Sequence, residues 1–214
     1  MQTEEELLKQ SKITPLFLHE LFTLALAIKR NCEMLFNEAK IPEKGYVIQV
    51  DASIQSRLKA ILDDAAQINN VLWPSPRRNN ESEQMSRYRV VRGKLLRDMT
   101  GDIQMTEIKN HQVRDSLEHL DERLDRLSYE LMVKGRKQGK ALAFNIIVST
   151  KSAFKPFPYP VKVYVSSERV FYNMQWRSDI GKIYTETCLI LDKLKTIPGI
   201  KDADEPGGIL LVKL

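Results

Sequence analysis

Apolar residues recur every three or four positions in several long stretches of the chain, the pattern of helices that bury one face. The first stretch begins at Thr14-Pro15, where the threonine can cap a helix and the proline loses no hydrogen bond. Asp51 or Ser53 can cap the second. The predicted inward residues of these two helices are Phe17, Leu21, Leu24, Ile28, Cys32 and Leu35, then Ile54, Leu58, Ile61, Ala65, Ile68 and Leu72.

Two further helices are predicted after residues 74–82, a loop rich in Pro, Ser, Arg and Asn. The third helix has Met85, Tyr88, Val91, Leu95 and Met99 as its predicted inward residues. The strongest pattern spans Thr106 to Lys134, with Thr106 as a cap and Gly135 as the stop. Its apolar stripe consists of Val113, Leu117, Leu120, Leu124, Leu127 and Leu131. We expect one long central helix here.

Past Gly139 the pattern changes from helical to strand-like. Ala141 to Ser149 is short and rich in Phe, Ile and Val. Val161 to Ser166 and Val170 to Trp176 alternate between apolar and polar residues and are predicted to form a hairpin. The intervening residues 154–160 contain three prolines, which remove hydrogen-bond donors and exclude an interior strand.

The remaining segments complete a mainly α fold. Asp179 is predicted to start a last helix, whose inward residues are Ile180, Ile183, Ile190, Leu191 and Leu194. Ile209 to Val212 is predicted as a terminal strand, and Tyr46 to Val50 as an extended segment. We therefore predict a bundle of four to five helices with a small β-hairpin or sheet appendage in the C-terminal third. Residues 1–139 form the helical bundle, and residues 140–214 form the hairpin and last helix packed on it, as one compact domain.

Composition is that of an ordinary globular protein, with 214 residues, 43% of them hydrophobic and 29% charged. No apolar run approaches the roughly 20 residues that span a bilayer, and the first residues are acidic, so we expect a cytoplasmic protein without membrane association. Cys32 and Cys188, the only cysteines, fall in helical apolar patterns and are expected to behave as small hydrophobes. With three scattered histidines, no metal site is expected.

The net charge of +5 is concentrated in two regions, one between Arg77 and Arg97 and one between Lys134 and Lys140. Such clusters can bind polyanions by releasing counterions from phosphates, or can simply be solvated helix faces. If the chain binds RNA, the candidate contacts are Arg87, Arg92, Arg97, Lys134 and Arg136.

Arg114 and His119 lie off the apolar stripe of the central helix, about 100° and 120° to either side of its centre. They can belong to a solvated face, with the pairs Arg114–Glu118, Asp115–His119 and Glu122–Arg126 each contributing about 0.2–0.5 kcal/mol. They can also be functional, since core packing does not require either residue.

The run from Arg114 to His119 resembles the Arg, polar residue, then His motif of the HEPN superfamily (higher eukaryotes and prokaryotes nucleotide-binding). The segment from Glu118 to Asp125 is similar to the sequence that follows this motif in uncharacterised bacterial HEPN-like proteins. The resemblance covers about the first 135 residues. Some family members carry a regulatory Tyr two residues after the His, where this chain has Asp121.

The resemblance implies a metal-independent endoribonuclease of the toxin or phage-defence type, without a cofactor and active as a homodimer. His119 would act as general base on a ribose 2′-OH, and Arg114 would stabilise the phosphorane. Asp115 takes the family's polar position, and Glu118 could orient Arg114 or the imidazole. An antitoxin or regulatory protein is an implied partner. The alternative is a non-catalytic HEPN-like protein that binds a nucleotide or mediates helical interactions.

Overall fold

The structure is a computed structural model and describes residues 14–40, 50–75, 80–101, 103–133, 141–201 and 203–208. Within these residues it has six α-helices and four β-strands. The helices are α1 (Thr14–Glu38), α2 (Ala52–Leu72), α3 (Glu83–Met99), α4 (Gln112–Glu118), α5 (Leu120–Val133) and α6 (Ile180–Leu194). The strands are β1 (Leu142–Val148), β2 (Tyr159–Val165), β3 (Val170–Asn173) and β4 (Trp176–Asp179). A mainly helical fold with a small C-terminal sheet is confirmed.

Backbone contacts divide the chain into two compact units, each assembled from separated segments. The first unit comprises Met1–Lys29, Asp64–Lys109 and Tyr184–Leu214, and the second comprises Arg30–Asp63 and Asn110–Ile183. The predicted boundary between residues 139 and 140 lies outside the described residues and stays a prediction.

The first two helices follow the predicted pattern closely. Every predicted inward residue of α2 is buried, and so are those of α1 except the half-buried Phe17. Asp51 caps α2, because its Oδ1 accepts hydrogen bonds from the Ser53 hydroxyl at 2.7 Å and the Ser53 N–H at 2.8 Å. These bonds favour the charged form and lower the pKa of Asp51.

The predicted inward face of α3 is confirmed at Leu95, which is 3% exposed, and is wrong at its two methionines. Met85 and Met99 are 49% and 37% exposed, whereas Arg89 and Arg92 are only 6% and 7% exposed. The two guanidinium groups are buried because each has a partner. Arg89 forms an ion pair with Glu81 and donates to the carbonyl of Ser75, and Arg92 lies 4.4 Å from the centre of the Phe17 ring. The hydrogen-bonded carboxylate raises the pKa of Arg89.

Gly93 explains how α3 approaches the end of α2 so closely. A Cβ at this position would lie 2.6 Å from Cδ of Pro74 and 2.9 Å from the carbonyl oxygen of Leu72. Arg97, one turn further along, donates to the same Leu72 oxygen. The face of α3 that carries Arg89, Arg92 and Gly93 is therefore its buried face.

The sheet has the order β1-β2-β3-β4. β2 and β3 form the predicted antiparallel hairpin, and β3 pairs antiparallel with β4. Val170 to Trp176 is not the single strand predicted, because Met174 adopts a positive φ of 56° and the chain turns back as β4. The sequence also did not reveal that β1 pairs with β2 in parallel, across a connection spanning residues 149–158.

In the sheet formed by the described residues, β1 is one of the two outer strands. Leu142 and Phe144 are 44% and 66% exposed on it. Asn145 has a φ of 53°, and the register passes from the pair Phe144 and Val161 to the pair Ile146 and Val163. Asn145 therefore interrupts the extended backbone in the middle of the strand.

The last helix begins as predicted after Asp179, whose Oδ1 accepts a hydrogen bond of 2.8 Å from the Lys182 N–H. Its predicted inward residues, Ile180, Ile183, Ile190, Leu191 and Leu194, are all buried. Glu186 lies among them at 4% exposure. Its carboxylate accepts hydrogen bonds from the backbone N–H groups of residues 106, 107 and 108 at 2.7–3.2 Å.

Thr106 is consequently not the cap of a long helix. Residues 106–109 form a turn around the Glu186 carboxylate, and the next helix begins at Gln112. The predicted extended residues 46–49 and terminal strand 209–212 lie outside the described residues. None of the helices placed in the described ranges combines the length and apolar character needed to cross a membrane.

Candidate functional site

The predicted central helix is divided in two at His119. This residue has φ −106° and ψ 36°, so α4 ends at Glu118 and α5 begins at Leu120. The hydrogen-bond series continues across the junction, since the His119 N–H donates to Asp115 at 3.2 Å and its carbonyl accepts from Arg123 N–H at 3.1 Å. The break is thus a local distortion that places the imidazole at the junction of two helices.

Arg114 lies on α4 with 31% of its side chain exposed and carboxylates around its guanidinium group. Its Nη2 is 2.6 Å from Glu118, its Nη1 3.5 Å from Asp115, and its Nε 3.6 Å from Asp63 of α2. The predicted Arg114–Glu118 pair is confirmed. The buried Nε makes no hydrogen bond within the described part of the chain. The carboxylates hold the guanidinium in one place and also reduce its effective charge.

His119 is the more accessible of the two motif residues, with 57% of its side chain exposed. Its Nδ1 lies 3.7 Å from Glu122, and Asp115 lies 3.6 Å from His111. The structure therefore replaces the predicted Asp115–His119 pair by these two contacts. In the same way, Arg126 lies beside Glu130 at 3.7 Å and not beside Glu122.

α4 is held against the sheet by a buried polar contact that sequence reasoning missed. The Asn173 side-chain amide of β3 donates to the Ser116 hydroxyl at 2.8 Å, and that hydroxyl donates to the Val113 carbonyl at 2.6 Å. Asn173 also accepts from the backbone N–H of Lys162 at 3.2 Å. Asn173 and Ser116 are 0% and 1% exposed. Because Ser116 and Val113 face the sheet, Arg114 is left with access to solvent.

α5 has no buried residue. The predicted stripe of the central helix is buried at Val113 alone, is half-buried at Leu117, Leu120 and Leu127, and is exposed at Leu124 and Leu131. Leu124 and Leu131 are 41% and 37% exposed. The large exposed hydrophobic residues of this helix are Leu124, Tyr129, Leu131, Met132 and Val133.

The predicted RNA-binding cations are in different environments. Arg87 is 66% exposed and forms an i,i+4 ion pair with Glu83. Arg92 is nearly buried against Phe17, and Arg97 donates to Leu72 and lies 5.8 Å from the Trp73 ring. Lys134 and Arg136 lie outside the described residues. Of the three described cations, Arg87 offers the most surface to a phosphate.

No family model, curated protein or solved structure matches the chain. In the part of the chain that the structure describes, no group of three or more His, Cys, Asp or Glu side chains is placed to hold a metal ion.

Proposed function

We propose that the chain is a HEPN-type, metal-independent endoribonuclease of the toxin or phage-defence class, with its site at the α4–α5 junction of a homodimer. The observation that supports this proposal most directly is the solvent access of both motif side chains, 31% for Arg114 and 57% for His119. Arg114 lies in the first turn of α4, and His119 lies where α4 and α5 meet.

The chemistry is attack of a ribose 2′-oxygen on the adjacent phosphorus. His119 takes the hydroxyl proton as the new bond forms, since an imidazole nitrogen can accept a proton and later return it. The 5′-oxygen leaves with a proton, which the protonated imidazole can return. Arg114 stabilises the phosphorane oxygens, with Glu118 at 2.6 Å fixing its orientation. The substrate phosphate must then take the place of Asp63 or Asp115 at the guanidinium.

Dimerisation completes this site because Arg114 and His119 are about 140° apart around a regular helix. On that regular spacing, one copy alone would not direct both side chains to the same phosphate, and a second copy would supply the missing group. The exposed leucines of α5 supply a surface for self-association, since Leu124 and Leu131 are seven residues apart and lie on the same face. Pairing of two such helices would form the homodimer that the resemblance implies.

The double variant Leu124→Glu/Leu131→Glu is expected to weaken the dimer by at least about 100-fold, because it places charges in the apolar contact. Sedimentation equilibrium at micromolar concentrations would measure the change. Tyr129→Glu is the matched control: Tyr129 is 64% exposed but lies about 150° from the leucines around α5. A monomeric wild type, or a dimer that tolerates both glutamates, would contradict self-association through this face.

A non-catalytic role is the second candidate, and the acidic surroundings of Arg114 favour it. Asp63, Asp115 and Glu118 all lie within 3.6 Å of its guanidinium nitrogens. Carboxylates at this density repel RNA and satisfy the arginine without a ligand. In this alternative, Arg114, Glu118 and His119 form a polar network at a dimer interface and catalyse nothing.

Cleavage of total cellular RNA by the purified protein in EDTA distinguishes the two candidates. We expect the wild type to cleave, and Arg114→Ala/His119→Ala to be slower by about 10²–10⁴-fold, since each residue acts on the transition state. Circular dichroism and urea unfolding verify that the double variant folds. If neither folded protein cleaves RNA, the non-catalytic candidate is correct.

A further inference from the structure

A groove of about 230 Å³ lies beside α5 in the second unit. Arg123, Arg126 and Glu130 line it from α5, Tyr159 from β2, and Trp176 from β4. We infer that this α5 groove binds one nucleotide of single-stranded RNA, with the phosphate on the two arginines and the base against Trp176 and Tyr159. The inference rests on the proposed function and identifies where its substrate is held.

Arg123 is the central residue of the α5 groove. Its guanidinium carbon lies 4.9 Å from the centre of the Trp176 ring, so the side chain is held by a cation–π contact. Its Nε is buried and makes no hydrogen bond among the described residues. Arg123 lines the groove, so its guanidinium group can donate to the phosphate of an anionic ligand held there.

The size and the aromatic residues of the groove favour one nucleotide of a longer chain. Its volume is below the roughly 300–1,000 Å³ of pockets that enclose a drug-sized ligand. Trp176 and Tyr159 are half-buried and offer ring surface beside the two cations. Proteins that bind single strands without sequence preference combine such rings with basic residues that track the backbone.

The α5 groove is aligned with the proposed catalytic base. His119, Arg123, Arg126 and Glu130 recur at steps of four, three and four, so they share one face of the helix. The hydrogen bond from Arg123 N–H to the His119 carbonyl shows that the helical turn between them is intact. RNA that places a phosphate on Arg123 therefore runs past His119 at a neighbouring nucleotide.

Glu130 is the acidic member of the lining, and it does not prevent phosphate binding. Its carboxylate is 3.7 Å from Nε of Arg126, whose side chain is 72% exposed. Exposed ion pairs of this kind are weak, so a phosphate can replace Glu130 at the guanidinium. Arg126 can then contact RNA without rearrangement of the helix.

The test is binding of a fluorescein-labelled 2′-O-methyl RNA of about a dozen nucleotides to the full chain in EDTA, followed by fluorescence anisotropy. This probe lacks the attacking hydroxyl, so binding is measured independently of cleavage. The groove variants are Arg123→Gln, Arg126→Gln and Trp176→Leu. The matched control is Arg177→Gln, which removes the same charge from the next residue of β4, an exposed residue on the opposite side of the strand.

We expect Arg123→Gln and Trp176→Leu to weaken binding by about tenfold each, and Arg177→Gln to change it less than twofold. Arg123→Gln and Arg126→Gln should each remove one phosphate contact. Each should therefore reduce the magnitude of the slope of log K against log salt by about 0.7. Arg126→Gln alters an exposed side chain, so the test stands even if Trp176→Leu does not fold.

The inference is overturned if the wild type does not bind the probe, or if the groove variants bind with unchanged affinity and salt slope. Binding that depends on Arg123, without cleavage of unmodified RNA, would instead refute the nuclease and leave the groove assignment standing. Cleavage of RNA, together with binding that does not depend on the groove residues, would support the nuclease and refute the groove assignment. If the groove binds a protein and has no affinity for RNA, the assignment of the groove to RNA is also refuted.

Discussion

Glu186→Ala is expected to lower the free energy of unfolding by about 3–5 kcal/mol, because it removes a buried acceptor from several donors at once. The Glu186 carboxylate receives the backbone N–H groups of residues 106–108 and the Thr106 hydroxyl. Ile108, which donates at 2.9 Å, is 1% exposed, so water cannot replace the lost oxygen without opening the turn. Urea unfolding followed by circular dichroism would measure the loss.

Two variants on the same helix control for this experiment. Glu186→Gln keeps one carbonyl oxygen but points an amide N–H at the donors, so we expect it to fall between wild type and alanine. Asp192→Ala removes an exposed carboxylate from α6 and should change stability by no more than about 0.5 kcal/mol. A Glu186→Ala protein as stable as the Asp192→Ala protein would show that the carboxylate does not hold the turn.

Asn173→Leu is expected to cost about 2–3 kcal/mol, although leucine has the same number and branching of side-chain heavy atoms. The substitution leaves the Lys162 N–H without its 3.2 Å acceptor and the Ser116 hydroxyl without its 2.8 Å donor. Asn173 is fully buried, so the lost hydrogen bonds are not replaced by water. Thermal or urea unfolding of the purified variant would give the value.

A double-mutant cycle isolates the contact between β3 and α4. Asn173→Leu and Ser116→Ala should be non-additive by about 0.5–3 kcal/mol, since they remove the same hydrogen bond. Ser56→Ala, at an exposed helix serine that donates to the Ala52 carbonyl, should have an effect within about 0.5 kcal/mol. Additive effects at Asn173 and Ser116 would mean that this bond does not attach the motif helix to the sheet.

The elements that could be predicted from the sequence are those in which neighbouring residues alone identify the element and its buried face. α1, α2 and α6 carry apolar residues at helical spacing, and all of their predicted inward residues except Phe17 are buried. Asp51 and Asp179 stand immediately before helices and cap them through their own carboxylates. The hairpin of β2 and β3 was likewise evident from alternation across a short polar turn. In each case local propensity and burial agree.

The burial of Arg89 and Arg92 on α3 was not predictable, because residues outside the helix determine it. Arginine side chains are rarely buried unless another group pairs with them, and the sequence does not show which groups pair with Arg89 and Arg92. Here Glu81 neutralises Arg89, Phe17 covers Arg92, and Gly93 permits contact with Pro74. The methionines, which hydrophobicity alone assigns to the interior, remain exposed as a result.

The candidate site was only partly predictable, because some of its contacts come from residues distant in the sequence. The pattern identified Arg114 and His119 as residues that the core does not need, and it identified the Arg114–Glu118 pair. It did not reveal the break at His119 or the carboxylate of Asp63 near Arg114. Some signal for the missed residues was present. Glu186 stands between Ile183 and Ile190 in an inward row, and Asn173 interrupts an apolar strand.

Asn145 has a consequence for the behaviour of the protein at high concentration. An outer strand with apolar side chains such as Leu142 and Phe144 is a template on which further chains can add by sheet growth. With a φ of 53°, Asn145 divides this template into two pieces too short to direct strand addition. Among the described residues, the backbone geometry at Asn145 thus limits the addition of further strands to β1, on which Phe144 is exposed.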